Sequence, residues 1–276
     1  MNLLTKLLIE LLPLGAMIGR AQEACYNSRR YINCVLGSIF IRSIFEGIII
    51  FPTLYLSMFG FHITLPLLMT YTIAYIISWL LMNVIYDMFY ALNDSIFVRY
   101  EDRPTLRRYI EDINLVVLII ARLIYMVTIS ILLVVVAKIP YINVLIAILL
   151  LLITLFIHNS IRIKLWRVYS IGALRFVRLF FIPLVLSPSS NLFYILAIAI
   201  PYVTDEIIKA YNYELGKCGI QLRNARAPIL LFSYLVYLPF LIILFHSNYV
   251  LLIYLIILVG SLAIFYSIML VRKRLR

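Results

Sequence analysis

The chain is built from long, unbroken apolar stretches, each about 20 residues or more and separated by short basic connections. A helix of about 20 apolar residues crosses the hydrocarbon of a bilayer. Within lipid, only helices and closed barrels satisfy every backbone N–H and C=O. A barrel needs short strands that alternate apolar and polar residues, whereas these stretches are continuously apolar. Of the 276 residues, 65% are hydrophobic and 13% are charged, against about 45–50% and 25% in soluble domains. A soluble fold of this length has too little interior to hide so much apolar surface. The expected fold class is all-α, a polytopic helical membrane protein.

Read in order, the stretches predict about eight (eight to nine) transmembrane helices. They fall near residues 32–58, 64–93, 109–137, 140–158, 170–187, 190–211, 227–245 and 248–271. Residues 1–31 form a separate N-terminal segment, with Leu4, Leu7, Leu8, Leu11 and Leu12 at helical spacing and Lys6 and Glu10 between them. That pattern suits a helix lying in the membrane interface. Residues 32–276 make a single transmembrane domain.

The formal charge of +12 is distributed unevenly along the chain. One set of connections holds Arg99, Arg103, Arg107 and Arg108, then Arg162, Lys164, Arg167, Arg175 and Arg178, then Lys217, Arg223 and Arg226, and finally the tail Arg272, Lys273, Arg274 and Arg276. The opposite set holds only Lys138 as a basic residue beside His62 and His246. The positive-inside rule then puts the protein in the cell membrane with both termini cytoplasmic. Because the basic residues recur at the ends of spans, the charge is accounted for without a nucleic acid partner. Cys25, Cys34 and Cys218 form an odd, scattered set with no CxxC pair, which predicts neither a disulfide framework nor a zinc site.

Ionisable residues inside apolar stretches are expensive and point to pairing or function. Arg42 and Glu46 lie four residues apart, on one helix face, and can pair. Asn83, Asp87, Tyr90 and Asp94 follow at spacings of four, three and four, which also places them on one face. Two carboxylates two turns apart can share a divalent cation, and Mg²⁺ is usually held by one or two carboxylates together with substrate phosphates. Further along, Asp205, Glu206, Lys209, Asn212, Glu214 and Lys217 mix acid and base at the end of a span.

At these residues the chain resembles the UbiA superfamily of intramembrane prenyltransferases. Members read NVxNDxxDxxxD at the end of the second span, followed by an Arg-Pro pair. Here Asn83-Val84-Ile85-Tyr86-Asp87 runs on to Tyr90 and Asp94, followed by Arg103-Pro104. Tyr86 and Tyr90 stand where the family carries Asn and Asp. His158-Asn-Ser160-Ile-Arg162-Ile-Lys164 is similar to the signature after the fourth span, and Glu206-Ile-Ile-Lys209 with Gly219-Ile220 to the second aspartate-rich region. The resemblance implies a UbiA-like bundle that transfers an isoprenoid from its diphosphate to a lipid, quinone or haem-type acceptor. It implies Mg²⁺ on Asp87 and Asp94, with Glu206, Asn212 and Glu214 as further donors. Arg42, Arg103, Lys164 and Lys209 would contact the diphosphate, and Asn83, Tyr86, Tyr90 and Glu46 would line the motif. The implied partners are membrane lipid, an isoprenoid diphosphate and subunits of a membrane complex. The alternative implied by the altered motifs is a catalytically inactive protein of the same fold, acting as a lipid-binding or complex subunit.

Overall fold

The structure, a computed structural model, describes residues 3–25, 34–35, 37, 50–52, 54–56, 58–59, 62, 64–100, 107–186, 208, 211 and scattered positions between 253 and 268. Two short helices open the chain, α1 (Leu3–Leu11) and α2 (Gly15–Cys25). After them come α3 (Leu65–Ser95), a 3₁₀ turn (Phe97–Tyr100), α4 (Arg108–Asp112), α5 (Leu115–Val135), α6 (Tyr141–Ser160) and α7 (Lys164–Leu186).

Local sequence sets these boundaries. Pro66 sits in the first turn of α3, where its missing N–H costs nothing and its fixed φ suits a helix. The apolar stretch 109–137 is divided by Asn114, whose side chain accepts from Val116 N at 3.1 Å and Val117 N at 3.3 Å and so starts α5. The link to α6 is tight. Lys138 adopts φ 55°, and the adjacent amides of Ala137 and Ile139 close back on the Leu132 and Leu133 carbonyls at 3.3 and 3.1 Å. Such a short link makes α5 and α6 run antiparallel. Pro183 lies inside α7, as membrane helices tolerate.

Four of these helices are long and apolar enough to cross a membrane: Leu65–Ser95, Leu115–Val135, Tyr141–Ser160 and the Tyr169–Leu186 part of α7. Their outer faces are apolar where a soluble protein is polar. Ile120, Ile124, Val127 and Ile131 on α5, and Leu145, Leu149, Ile153 and Phe156 on α6, are all exposed. Faces of that size need lipid against them. Exposed aromatic residues mark the two ends, Tyr141 at one and Tyr100, Trp166 and Tyr169 at the other, as at a membrane interface. This is a multi-pass membrane architecture.

The expected UbiA-like bundle of eight to nine spans is corrected by this count of four among the described residues. Hydropathy scores every apolar stretch alike and takes no account of how a stretch packs or where a cap divides it. Of the other expected spans, 190–211, 227–245 and 248–271 lie wholly or largely outside the described residues, as does most of 32–58.

The main core lies between α3, α6 and α7, around Leu81, Ile85, Leu151, Leu155, Phe181 and Val185, with Ile129 and Leu133 of α5 joining it. A second, smaller cluster unites Ile9, Ala16, Ala91, Leu118 and Tyr109. It seats the α1–α2 hairpin against α3 and α5. The leucine stripe of this hairpin turns outward, with Leu7, Leu8, Leu11 and Leu12 exposed, while Ile9 and Glu10 are buried. Apolar side chains outside and a carboxylate inside is the arrangement lipid favours. The two cysteines nearest the hairpin are joined, Cys25 to Cys34, across a sequence separation of nine. The expectation of no disulfide framework leaves room for this single bond, since an odd total leaves one cysteine over without preventing the other two from pairing.

Candidate functional site

The only arginine in α5 is Arg122, and it is 1% exposed. α5 has 21 residues, about 31 Å at 1.5 Å per residue, which matches the hydrocarbon thickness. Arg122 lies two turns below the start of that helix, about 10 Å inside the lipid by the same rise. An unpaired guanidinium there is very costly, and Arg122 is fully engaged with its surroundings. Its Nε donates to Asp87 Oδ2 at 2.7 Å, its Nη1 to the Glu10 carbonyl at 2.7 Å and its Nη2 to the Ile9 carbonyl at 2.8 Å. Both partners of the Arg122–Asp87 ion pair have side chains with 0% exposure.

Asp87 completes the arrangement from α3. Its Oδ2 also accepts from Ala16 N at 3.2 Å, and its Oδ1 accepts from Met17 N at 2.6 Å. The cation thus meets the last carbonyls of α1, and the anion meets the first amides of α2. Each charge complements the helix dipole it faces. The two helix ends that bracket residues 12–14 are satisfied at membrane depth, where water is unavailable to do it. Gly15 permits the turn, since a Cβ there would run into the Ile9 carbonyl. Glu10 ties the hairpin to α5 a second time, as its Oε1 accepts from Asn114 N at 2.6 Å and lies 3.9 Å from Lys6 Nζ.

Nearer the basic face, Asp94 forms a second centre. Arg20 Nε lies 3.3 Å from Asp94 Oδ2, Tyr109 Oη donates to the same oxygen at 2.9 Å, and Asn93 Nδ2 donates to Oδ1 at 3.4 Å. The Arg20 guanidinium also covers the Tyr90 ring at 4.4 Å. Gly19 lets α2 come close to Tyr109, whose ring a Cβ would meet at 2.8 Å. Burial, and after it the Asp94 charge, raises the Tyr109 phenol far above its usual range, so it remains a donor. On the opposite flank of α3, Tyr86 donates to the Leu174 carbonyl at 3.4 Å, and the Arg178 guanidinium lies 5.3 Å over its ring. His158 Nδ1 and Ser170 Oγ are 2.8 Å apart, joining α6 to α7.

The structure therefore brings Asp87, Tyr90 and Asp94 together with Arg20 and Arg122, and buries Asn83, whose amide donates to the Trp79 carbonyl at 2.8 Å within α3. Lys164 opens α7. Arg42, Glu46, Arg103, Glu206, Lys209, Asn212 and Glu214 lie outside the described residues. Sequence reasoning missed Arg122, Arg20, Glu10 and Tyr109 as partners. Arg122 had a signal, being a single arginine within an otherwise apolar run; Arg20 and Tyr109 had none.

Chemically, the arrangement neutralises charge. Half-helix ends meeting at membrane depth are where transporters bind ions and charged substrates, and here the protein's own carboxylate and guanidinium occupy both ends. Among the described residues, no three His, Cys, Asp or Glu side chains gather as they would to hold a metal ion. No family model, no curated protein and no solved structure matches this chain. The resemblance to the UbiA superfamily is corrected accordingly, and with it the prenyltransferase function, the isoprenoid chemistry and the role for magnesium. The motif spacing that suggested them arises because a carboxylate every seven residues faces one side of a helix, and here that side faces the hairpin and its arginines.

Proposed function

We propose that this protein is an anionic-lipid-binding membrane protein that works at its basic face, with its intramembrane charges serving to hold the fold. The observation that carries the reading is the pairing of both α3 carboxylates. Asp87 is matched by Arg122 and Asp94 by Arg20, so the exposed Arg99 and Arg162 at that end of the helices keep their charge for other partners. Chain order places the end of α3, the start of α5, the end of α6 and the start of α7 on one side, with Arg99, Arg107 and Arg162 reaching the surface there beside Glu111 and Asp112, and Arg167 buried. The opposite α5–α6 link carries Lys138 alone. The positive-inside rule makes the basic side cytoplasmic, with both termini on it. A cytoplasmic leaflet with anionic lipid attracts such residues by about 1 kcal/mol each. Membrane lipid is then the partner, and subunits of a membrane complex could share the same face.

The test is thermal stability in nanodiscs of phosphatidylcholine alone and of phosphatidylcholine with phosphatidylglycerol. The reading expects the anionic lipid to raise the unfolding temperature and salt to remove the gain. Equal stability in both lipids at low salt would overturn it.

A further inference from the structure

Where α3 passes into the 3₁₀ turn and α6 gives way to residues 161–163, a cleft of about 270 Å³ opens on the basic face. Tyr100, Asn159, Ser160 and Arg162 form its polar side, and Ile96 and Phe97 its apolar side. The volume falls just short of the roughly 300 Å³ at which sites for drug-sized molecules begin, and no carboxylate lines it. The Arg162 guanidinium stands 5.1 Å over the Tyr100 ring, which holds the charge at the rim. Phe97 packs edge-on against Phe156, with ring centroids 6.3 Å apart. The apolar wall of the cleft is thereby continuous with the exposed α6 face of Phe156 and Ile153.

The cleft lies at headgroup depth, since it sits at the ends of two spanning helices and is lined by exposed Tyr100, with exposed Trp166 and Tyr169 following Arg162 closely in the chain. We propose that it binds the phosphate of an anionic phospholipid. Arg162 supplies the charge and Asn159 and Ser160 the polar contacts, while an acyl chain descends over Phe156 and Ile153. A free phosphate would use the polar side alone, whereas the joined apolar wall favours a ligand with a chain. The inference rests on the lipid-binding reading above and assigns it a place.

Trp166 lies four residues from Arg162 and is exposed, so it can report on the neighbouring lipid. The protein with Trp79→Phe retains Trp166 as its single tryptophan of the original two. It is placed in phosphatidylcholine nanodiscs containing a minor fraction of brominated phosphatidylglycerol or brominated phosphatidylcholine. Quenching should favour the brominated phosphatidylglycerol by about fivefold, the worth of one basic residue near the surface. Arg162→Gln should abolish the preference, and Arg99→Gln, an exposed arginine outside the cleft, should leave most of it. Equal losses in the two variants would overturn the cleft while sparing the lipid-binding reading. Absence of any preference in the parent protein would overturn both. Inorganic phosphate at millimolar concentration should leave the preference intact; its removal by inorganic phosphate would identify a free-phosphate site and overturn the lipid assignment.

Discussion

Arg122 of α5 and Asp87 of α3 form a fully buried ion pair, 2.7 Å from Nε to Oδ2, that joins the end of α1 to the beginning of α2. Four segments meet at these two side chains. Burying two charges costs several kcal/mol each before their attraction is counted. The remaining donors and acceptors recover part of that cost by closing the ends of two helices.

Removing one partner is therefore worse than removing both. Arg122→Met leaves the Asp87 carboxylate buried without its cation and is expected to cost about 3–5 kcal/mol. Asp87→Leu combined with Arg122→Met should recover only part of that loss, because the Ile9 and Glu10 carbonyls and the Ala16 and Met17 amides still lose their partners. Thermal unfolding of the two variants in the same detergent provides the check.

Glycine 15 is expected to be intolerant of any side chain, because the Cβ of Gly15→Ala would meet the Ile9 carbonyl. The variant should lose more than about 2 kcal/mol. Gly260→Ala, where the backbone is helical and a Cβ meets nothing within 4 Å, should instead gain about 0.5–1 kcal/mol. Comparing the two unfolding temperatures separates close approach from helix propensity.

The Tyr109 phenol sits far above its usual value of 10.0, because of burial and then the Asp94 charge. A raised folded value favours the protonated form in the native state. Its stabilising contribution is complete below about pH 10 and declines as pH rises beyond that. Tyr109→Phe should lose about 1.5–3 kcal/mol at neutral pH, typical of a hydrogen bond to a charged group. It should also flatten the alkaline fall in stability, which a pH series of unfolding measurements would show.

The chain has three cysteines, and Cys25 is bonded to Cys34. Denatured protein prepared without reductant should take up a single maleimide, at Cys218, and three after reduction. Intact mass reads the difference directly. Uptake of three maleimides without reductant would contradict the pairing.

The helical class and the membrane setting were legible because lipid leaves a chain few solutions. Helix starts such as Leu65 after Thr64 and Tyr141 after Pro140 lie close to where hydropathy alone places them. The face shared by Asp87, Tyr90 and Asp94 was equally legible from spacing. What faces it was not, because Arg20 and Arg122 come from segments 67 residues before Asp87 and 35 residues after it. No pattern within one helix reveals such a partner. Spacing that suits shared metal ligands suits separate ion pairs just as well, and only the tertiary contacts distinguish them. The leucine stripe of α1 was plain from its period, whereas the burial of Glu10 beneath it comes from tertiary contacts that no local pattern reveals.

The measurement that tests the clamp most directly is hydrogen–deuterium exchange of residues 12–20 in the wild-type protein and in Arg122→Met. The amides of Ala16 and Met17 donate to Asp87, and the hairpin that carries them is held down by Arg122. The wild-type peptide should be strongly protected, and loss of Arg122 should raise its exchange by at least about tenfold, the equivalent of 1.4 kcal/mol of local opening. Exchange of this peptide at the same rate in both proteins, with the rest of the fold intact, would contradict the claim that the Asp87–Arg122 pair holds the hairpin in the membrane.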